Sequence, residues 1–418
     1  MRRTAMIGVL VMVVAGGSAR ASPPAAAGAL ASDNVDYIAT IPDVAAIGAK
    51  IIDDTMYVTT LQGLRIYDIS LGVPVLMGAL ELPHYQNEWV DTNGEILLIS
   101  ADNVTGAASY VWVIDVTIPQ APLIRSIVTV SNGHTATCIA DCTFIWTRGG
   151  DVIDIRDPSA PVYLGELPYM RHHTDVDEAG LAWTDGIRVL DTNDYGIDNA
   201  LNPTVVASGG SYGWHGSLRP QAAQATQAGF ADGAIGPGEV VLGTDEEWLA
   251  AQNGFCASDG PFKTSWFREV NGQMRIELLD RFTVGMGTLP DAKPAGAVAC
   301  SSHWFDWHDD VVANGWYEQG VRFLDVSDPR DIRQIGYYMP AVTEAWGARF
   351  HEVTDGPLPG LYVYTFDVAR GIDVLVFDGE AGDATQLAPR LNPMRADARP
   401  SSEFGWACRI PLAGGITA

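Results

Sequence analysis

The sequence predicts an all-β protein: a seven-bladed β-propeller of four-stranded blades, with the ring closed by an N-terminal strand. Three observations carry this. A short apolar strand ending in Asp, followed by a turn that usually contains Pro, recurs along the chain. The recurrence spans 37 to 53 residues, with one gap of 89 between Asp191 and Asp280. Finally, Val, Ile, Tyr and Trp are enriched in short runs broken by Gly, Pro and Asp, while long helical periodicity is missing.

The clearest copies are Leu64 to Ile69 with Pro74, Val111 to Val116 with Pro119 and Pro122, Asp151 to Ile155 with Pro158 and Pro161, and Val321 to Val326 with Pro329. Weaker copies end at Asp191, Asp280 and Asp378. Unit three shows the internal plan, with strands expected at 135–139, 143–147, 152–155 and 162–167 and turns at Gly149-Gly150 and Asp157-Pro158. Four strands per unit of about 40 residues is the plan of a propeller blade. Seven Asp marks then give seven blades over residues 35–378. The gap of 89 reads as one blade with a long insertion at about 219–270, because residues 219–238 are rich in Gly, Ala and Gln. Short helices are expected at 222–228 and 246–252. Val35 to Ile41 resembles a fourth strand without a blade, and the last unit ends near Asp378 without one. Pairing the two would close the ring and remove sheet edges. Residues 379–418 read as an irregular tail.

The start of the chain reads as an export signal at 1–21. Arg2 and Arg3 precede a short apolar run from Met6 to Val14, and Ala19-Arg20-Ala21 is a small-x-small cleavage site. Residues 22–34 read as a flexible lead-in. Cutting after Ala21 removes Arg2, Arg3 and Arg20 from the 25 basic residues, so 22 face 51 acids and the net charge moves from −26 to −29. The expected location is therefore secreted or periplasmic, with no membrane span. Nucleic acid is excluded as a partner for want of clustered positive charge. A cation, a small molecule or a protein docked on a propeller face remains. The five Cys suit an oxidising compartment, with Cys138 and Cys142 able to bridge a tight hairpin, Cys256 and Cys300 a second candidate pair, and Cys408 left over.

On these residues the strand-Asp-turn-Pro unit resembles the LVIVD repeat of exported bacterial and archaeal proteins, over about residues 35 to 378. The resemblance is strong at 111–122, 151–165 and 321–336 and weak at 204–285. It implies a β-propeller and says little about activity.

The eight His form the second pattern. They are His84, His134, the pair His172 and His173, His215, His303 with His308, and His351. Each cluster opens the first strand of a unit, so units two to seven carry one. First strands line the central channel of a propeller, which could gather imidazoles at one end. Imidazole suits Cu, Zn, Fe and Ni. The candidate metal ligands are His134, His173, His215, His303, His351 and Glu246, with His84, His172 and His308 as a second tier. Asp306, Asp309 and Asp310 add oxygen near His303. Copper is the first choice and zinc is open on ligand type. The broad layout is similar to the selenium-binding/methanethiol-oxidase propellers, whose channel His bind copper, but the Cys-rich motifs of that family are missing. That similarity implies oxidation of a small molecule. The competing reading is structural: the resemblance itself implies that a His at a strand start recurs in LVIVD units, and such a His can bond the next blade. Trp214, Trp304, Trp307, Trp316 and Trp346 read as core or as a ligand-binding aromatic mouth. The residues show no phosphate loop or Gly-x-Ser-x-Gly elbow, and no nucleotide or organic cofactor is indicated.

Overall fold

The computed structural model describes residues 30–42, 45–82, 89–102, 108–170, 172–184, 188–209, 215–221, 235–246, 260–284 and 301–379. The expected signal, His84, Trp214, Cys256, Cys300, Cys408, the helix at 222–228 and the tail beyond Gly379 lie outside them.

Among the described residues every regular element is a strand, and the strands form seven antiparallel sheets. Each sheet is a blade. Blade one holds Ala46–Ile52, Thr55–Thr60, Gly63–Asp68 and Val75–Glu81. Blade two runs from Val90–Thr92 to Leu123–Val130, blade three from Ala136–Ile139 to Val162–Glu166, and blade four from Thr174–Val176 to Thr204–Ser208. Blade five runs from Gly216–Leu218 to Gln273–Phe282, and blade six from Phe305–His308 to Arg333–Met339. Blade seven takes three strands from Ala345–Val353, Gly360–Asp367 and Gly371–Phe377. Its outermost strand is Val35–Ile41, paired from Val35↔Phe377 to Ile41↔Ile372. Residues 30–34 depart from the expected flexible lead-in. Leu30 and Ala31 add a fifth strand to blade six, the Ser32 backbone amide donates to the Tyr337 carbonyl at 3.1 Å, and the Asn34 side-chain Nδ2 donates to the Ile335 carbonyl at 3.0 Å.

The core is divided among the seven blade-to-blade interfaces. Tyr57, Leu64 and Ile66 of blade one pack on Val90, Leu97 and Ile114 of blade two. Leu98, Val111 and Val113 of blade two meet Ala136, Ile145 and Ile153 of blade three. The series continues around to Val58 and Met56 of blade one against Tyr362, Phe366 and Val374 of blade seven. Apolar residues on both faces of the middle strands are therefore buried, which explains why those strands read as continuous hydrophobic runs. The fourth strand of blade two alternates between exposed and half-buried positions, and Leu76, Ile127 and Val205 are exposed on the rim.

The recurring Asp is turn chemistry. The Oδ1 of Asp68, Asp115, Asp154, Asp191 and Asp325 accepts the amide of the residue two further on, at 2.9–3.1 Å. Such an Asx turn satisfies a backbone amide where the third strand leaves the sheet. Hydrogen bonds from Ser70 and Thr117 hold Asp68 and Asp115 below the usual carboxylate range.

Asp280 corrects one sequence expectation. It does not end a third strand; it lies within the fourth strand of blade five and accepts the Ile332 amide of blade six at 2.9 Å. The third strand of that blade, Phe262–Val270, turns through Asn271 (φ 54°) and Gly272 (φ 76°) straight into the fourth. A two-residue Asn-Gly hairpin leaves no room for the Asp-turn-Pro connection. Glu246 follows a strand, Val240–Thr244, as irregular backbone, and residues 247–252 of the expected helix lie outside the described residues.

The blades are also stitched near the axis. Asp91 accepts the Cys138 amide at 2.9 Å, Asp175 the Ser217 amide at 2.7 Å and Asp306 the Phe350 amide at 2.9 Å, while Thr137 Oγ1 donates to the Thr174 carbonyl at 2.7 Å. Cys138 and Cys142 form a disulfide across the hairpin between the first two strands of blade three.

Candidate metal centre at one end of the channel

Every first strand runs from one mouth of the ring to the other. Five residues of extended chain cover roughly 16 Å, so His303 and His308 lie at opposite ends, as do Trp346 and His351. The ends differ in chemistry.

At the first end, blades three to six each contribute one imidazole to a buried row. Ring centroids lie 4.8 Å apart for His134 and His172, 4.4 Å for His172 and His215, and 4.0 Å for His215 and His303. His134 Nε2 is 3.0 Å from His172 Nε2. Glu246 faces the row from blade five, its Oε2 3.9 Å from His172 Nε2 and 3.7 Å from His215 Nε2. The donor atoms of His172, His215 and Glu246 all fall within 4.8 Å of one another, and all three residues are buried. Two nitrogens bound at about 2.0–2.1 Å to one ion stand roughly 3 Å apart or a little more. The His134–His172 separation already matches that, and the carboxylate would close by about half an ångström.

The surroundings orient these groups. Asp102 Oδ2 lies 3.0 Å from His134 Nδ1, so the proton sits on Nδ1 and the Nε2 lone pair points at His172. His303 Nδ1 donates to the Trp346 carbonyl at 2.7 Å, which fixes the same tautomer. Glu246 hangs from a clamped backbone. The Asp245 amide bonds the Pro261 carbonyl at 2.9 Å, its carbonyl accepts Ser301 Oγ at 3.1 Å and Ser302 Oγ at 3.0 Å, and its carboxylate pairs with Lys263. Tyr317 of blade six donates its hydroxyl to Glu246 Oε1.

His215 stands apart in one respect. It is 2% exposed, and among the described residues neither ring nitrogen has a hydrogen-bond partner. Burying polar atoms that way is costly unless something takes up their bonding capacity. Burial also pushes the imidazoles down: His134 below its ordinary value, His172 and His215 well below it, and His303 to about 3. All four are therefore neutral at physiological pH, the form in which imidazole binds metal.

A plug closes the channel beneath this row. Trp89 of blade two, His173 of blade four and Trp304 of blade six meet at centroid distances of 4.2, 4.3 and 5.0 Å, and Trp304 also lies 4.1 Å from His215. Side chains from three non-adjacent blades can touch only across the axis.

Of the first-tier residues, the fold thus brings His134, His215, His303 and Glu246 together, and the second-tier His172 stands in the middle of them. His173 does not point to Glu246; its Nε2 lies 3.0 Å from Asp175 Oδ1, and its ring belongs to the plug. His351 is at the opposite mouth, 3.3 Å from Asp54 Oδ1. His308 is there too, in the strand that turns back at Asp309 (φ 50°). Asp306 is spent on the Phe350 amide, and Asp309 and Asp310 lie at the turn by His308, so none adds oxygen to the row. Sequence reasoning missed Asp102, Tyr317 and Trp89. Asp102 ends the second strand of blade two and Tyr317 sits in a turn, so neither falls on the His period.

No protein-family model matches this chain, and no curated protein matches it. Solved structures do. The β-propeller domain of Cps50 (Swd1) from Myceliophteria thermophila is similar at 12% identity and a TM-score of 0.52, covering 82% of this chain and 99% of that one. The N-terminal domain of Nup159 is similar at 11% identity and a TM-score of 0.45, over 84% and 95%. At these identities the likeness concerns the fold alone. The chain is a seven-bladed β-propeller.

Proposed function

We propose that this chain binds a transition-metal ion at the histidine end of its channel. His172, His215 and Glu246 would be the ligands, with His134 and His303 completing the shell. The observation that carries this is His215: a fully buried imidazole without a hydrogen bond among the described residues, 3.7 Å from a buried carboxylate and flanked by two more imidazoles. Nitrogen donors with one carboxylate suit Cu or Zn and do not suit Ca or Mg. Copper is the first ion to test, and zinc would satisfy the same donors. Export to a secreted or periplasmic setting is part of the same reading, supported by the Arg2-Arg3 start, the apolar run and the Cys138–Cys142 disulfide. The strand-Asp-turn-Pro unit supports placing the chain with the LVIVD-repeat propellers.

The test is metal analysis of purified protein, stripped with chelator, reconstituted with Cu²⁺ or Zn²⁺ and dialysed. Wild type should hold one ion per chain. His172→Ala combined with His215→Ala should hold none, and His308→Ala combined with His351→Ala should hold one. A wild type without stoichiometric metal would overturn the proposal, and a propeller whose histidines only brace neighbouring blades would then stand.

A further inference from the structure

Tyr317 occupies backbone that tyrosine rarely takes. Its φ is 46°, in the left-handed region favoured by Gly and Asn. It is 1% exposed, and its backbone is held from both sides, with its amide donating to the Ala345 carbonyl at 2.9 Å and its carbonyl accepting the Ala345 amide at 3.0 Å. A bulky side chain in such a place is tolerated where the surroundings over-determine it, and such residues gather at functional sites. The side chain reaches across the blade interface. Its ring lies 4.9 Å from that of His303, and its hydroxyl donates to Glu246 Oε1.

The two oxygens of Glu246 are thereby divided. Oε1 takes the phenol, and Oε2 is the one facing His172 and His215. A carboxylate with one oxygen engaged in this way presents a single donor atom. We infer that Tyr317 is a positioning residue that makes Glu246 a monodentate ligand, so that the site is nitrogen-rich, of low coordination number, and selective for a transition metal over Ca²⁺. This rests on the metal reading above and adds the coordination mode and the residue that sets it. Partners of a ligating carboxylate act through its orientation, and losing one costs about 10–100-fold in metal affinity.

The test is Tyr317→Phe, which keeps the ring and removes the donor. Tyr317→Asn is its companion: it suits the left-handed backbone but loses the buried ring, so its melting temperature shows what a structural loss at this position looks like. Zinc affinity is measured by chelator competition, coordination by the visible absorption of the Co²⁺-loaded protein, and folding by thermal melting. Both variants should bind zinc about 10–100-fold more weakly, with a weaker Co²⁺ band as Glu246 turns to offer both oxygens, and Tyr317→Phe should melt close to wild type while Tyr317→Asn, which empties a buried ring site, melts lower. A purely structural tyrosine would lower the melting temperature and leave affinity and spectrum unchanged. If wild type binds zinc and both variants match it in affinity and spectrum, the inference is overturned while the metal reading survives. If wild type takes up no metal, both fall together.

Discussion

The two mouths of this ring are built from the same strands and from the same residue type, yet they hold opposite chemistry. At one mouth His134, His172, His215 and His303 are buried, neutral and packed ring against ring. At the other, His351 faces the largely exposed Asp54, and His308 is half-buried beside the exposed Asp309. That second mouth also carries the Asx turns at the ends of the third strands, such as Asp115 opposite Ile96 and Asp325 opposite Val311. A histidine therefore becomes a ligand candidate through where its strand position meets the ring. The first mouth concentrates desolvated donors with a carboxylate, and the second spends its polar groups on closing turns.

The largest expected break in this comparison is in metal content. Removing His172 and His215 should abolish uptake, and removing His308 and His351 should change nothing, as read by metal analysis. The next concerns the plug. Trp304 is 3% exposed and packs on Trp89 and His215, so Trp304→Ala should cost about 3–5 kcal/mol in urea unfolding. The exposed rim residue Leu76, changed to Ala, should stay within about 0.5 kcal/mol.

A pH titration sharpens the contrast, because the first mouth holds buried carboxyls as well. Burial pushes Glu344 up to about 8 and Asp367 up to about 6, despite hydrogen bonds from Trp346 and Thr343. A carboxyl raised on folding contributes stability that is complete below its unfolded value, near pH 4, and is lost as pH rises through the folded value. Urea unfolding should therefore show stability falling by a few kcal/mol between about pH 4 and about pH 8, and Glu344→Gln should flatten most of that slope. An unchanged slope would remove Glu344 as its source. Smaller still is the second mouth's turn chemistry. Asp115→Ala loses the bonds to the Thr117 amide and hydroxyl and should cost about 1 kcal/mol, read as a shift of the urea midpoint at constant slope. Smallest is His351→Ala. Its partner Asp54 is 64% exposed, so loss of that contact should cost well under about 1 kcal/mol.

Much of the fold was legible because a blade is a local object. Its hairpins join neighbouring segments, and its Asp-turn-Pro corner repeats because each third strand needs the same amide satisfied. Unit three was readable to within a residue or two, from Ala136–Ile139 to Val162–Glu166. Blade five was not, because an Asn-Gly hairpin replaced the Asp mark and Asp280 imitated it one strand late. The Asn271-Gly272 pair was itself the missing signal.

The site divides the same way. The spacing of the histidines showed that they open first strands. It ranked His173 ahead of His172, but neighbours on a strand point to opposite sides, and His172 joins the row while His173 joins the plug. It placed His351 with the others because it opens a unit, although that side chain stands five residues further along its strand than Trp346, at the far mouth. Asp102 and Tyr317 lie outside any repeat and reach the row only across blade interfaces.

The sequence by itself determined the number of blades and, outside blade five, their strands, because these follow from apolar patterning and turn residues acting over a few tens of positions. Only the tertiary structure decided which histidines share a space, which carboxylate faces them and which aromatics close the channel. Those are distances between blades far apart in the chain, and they depend on how the ring brings the ends of its first strands onto one axis.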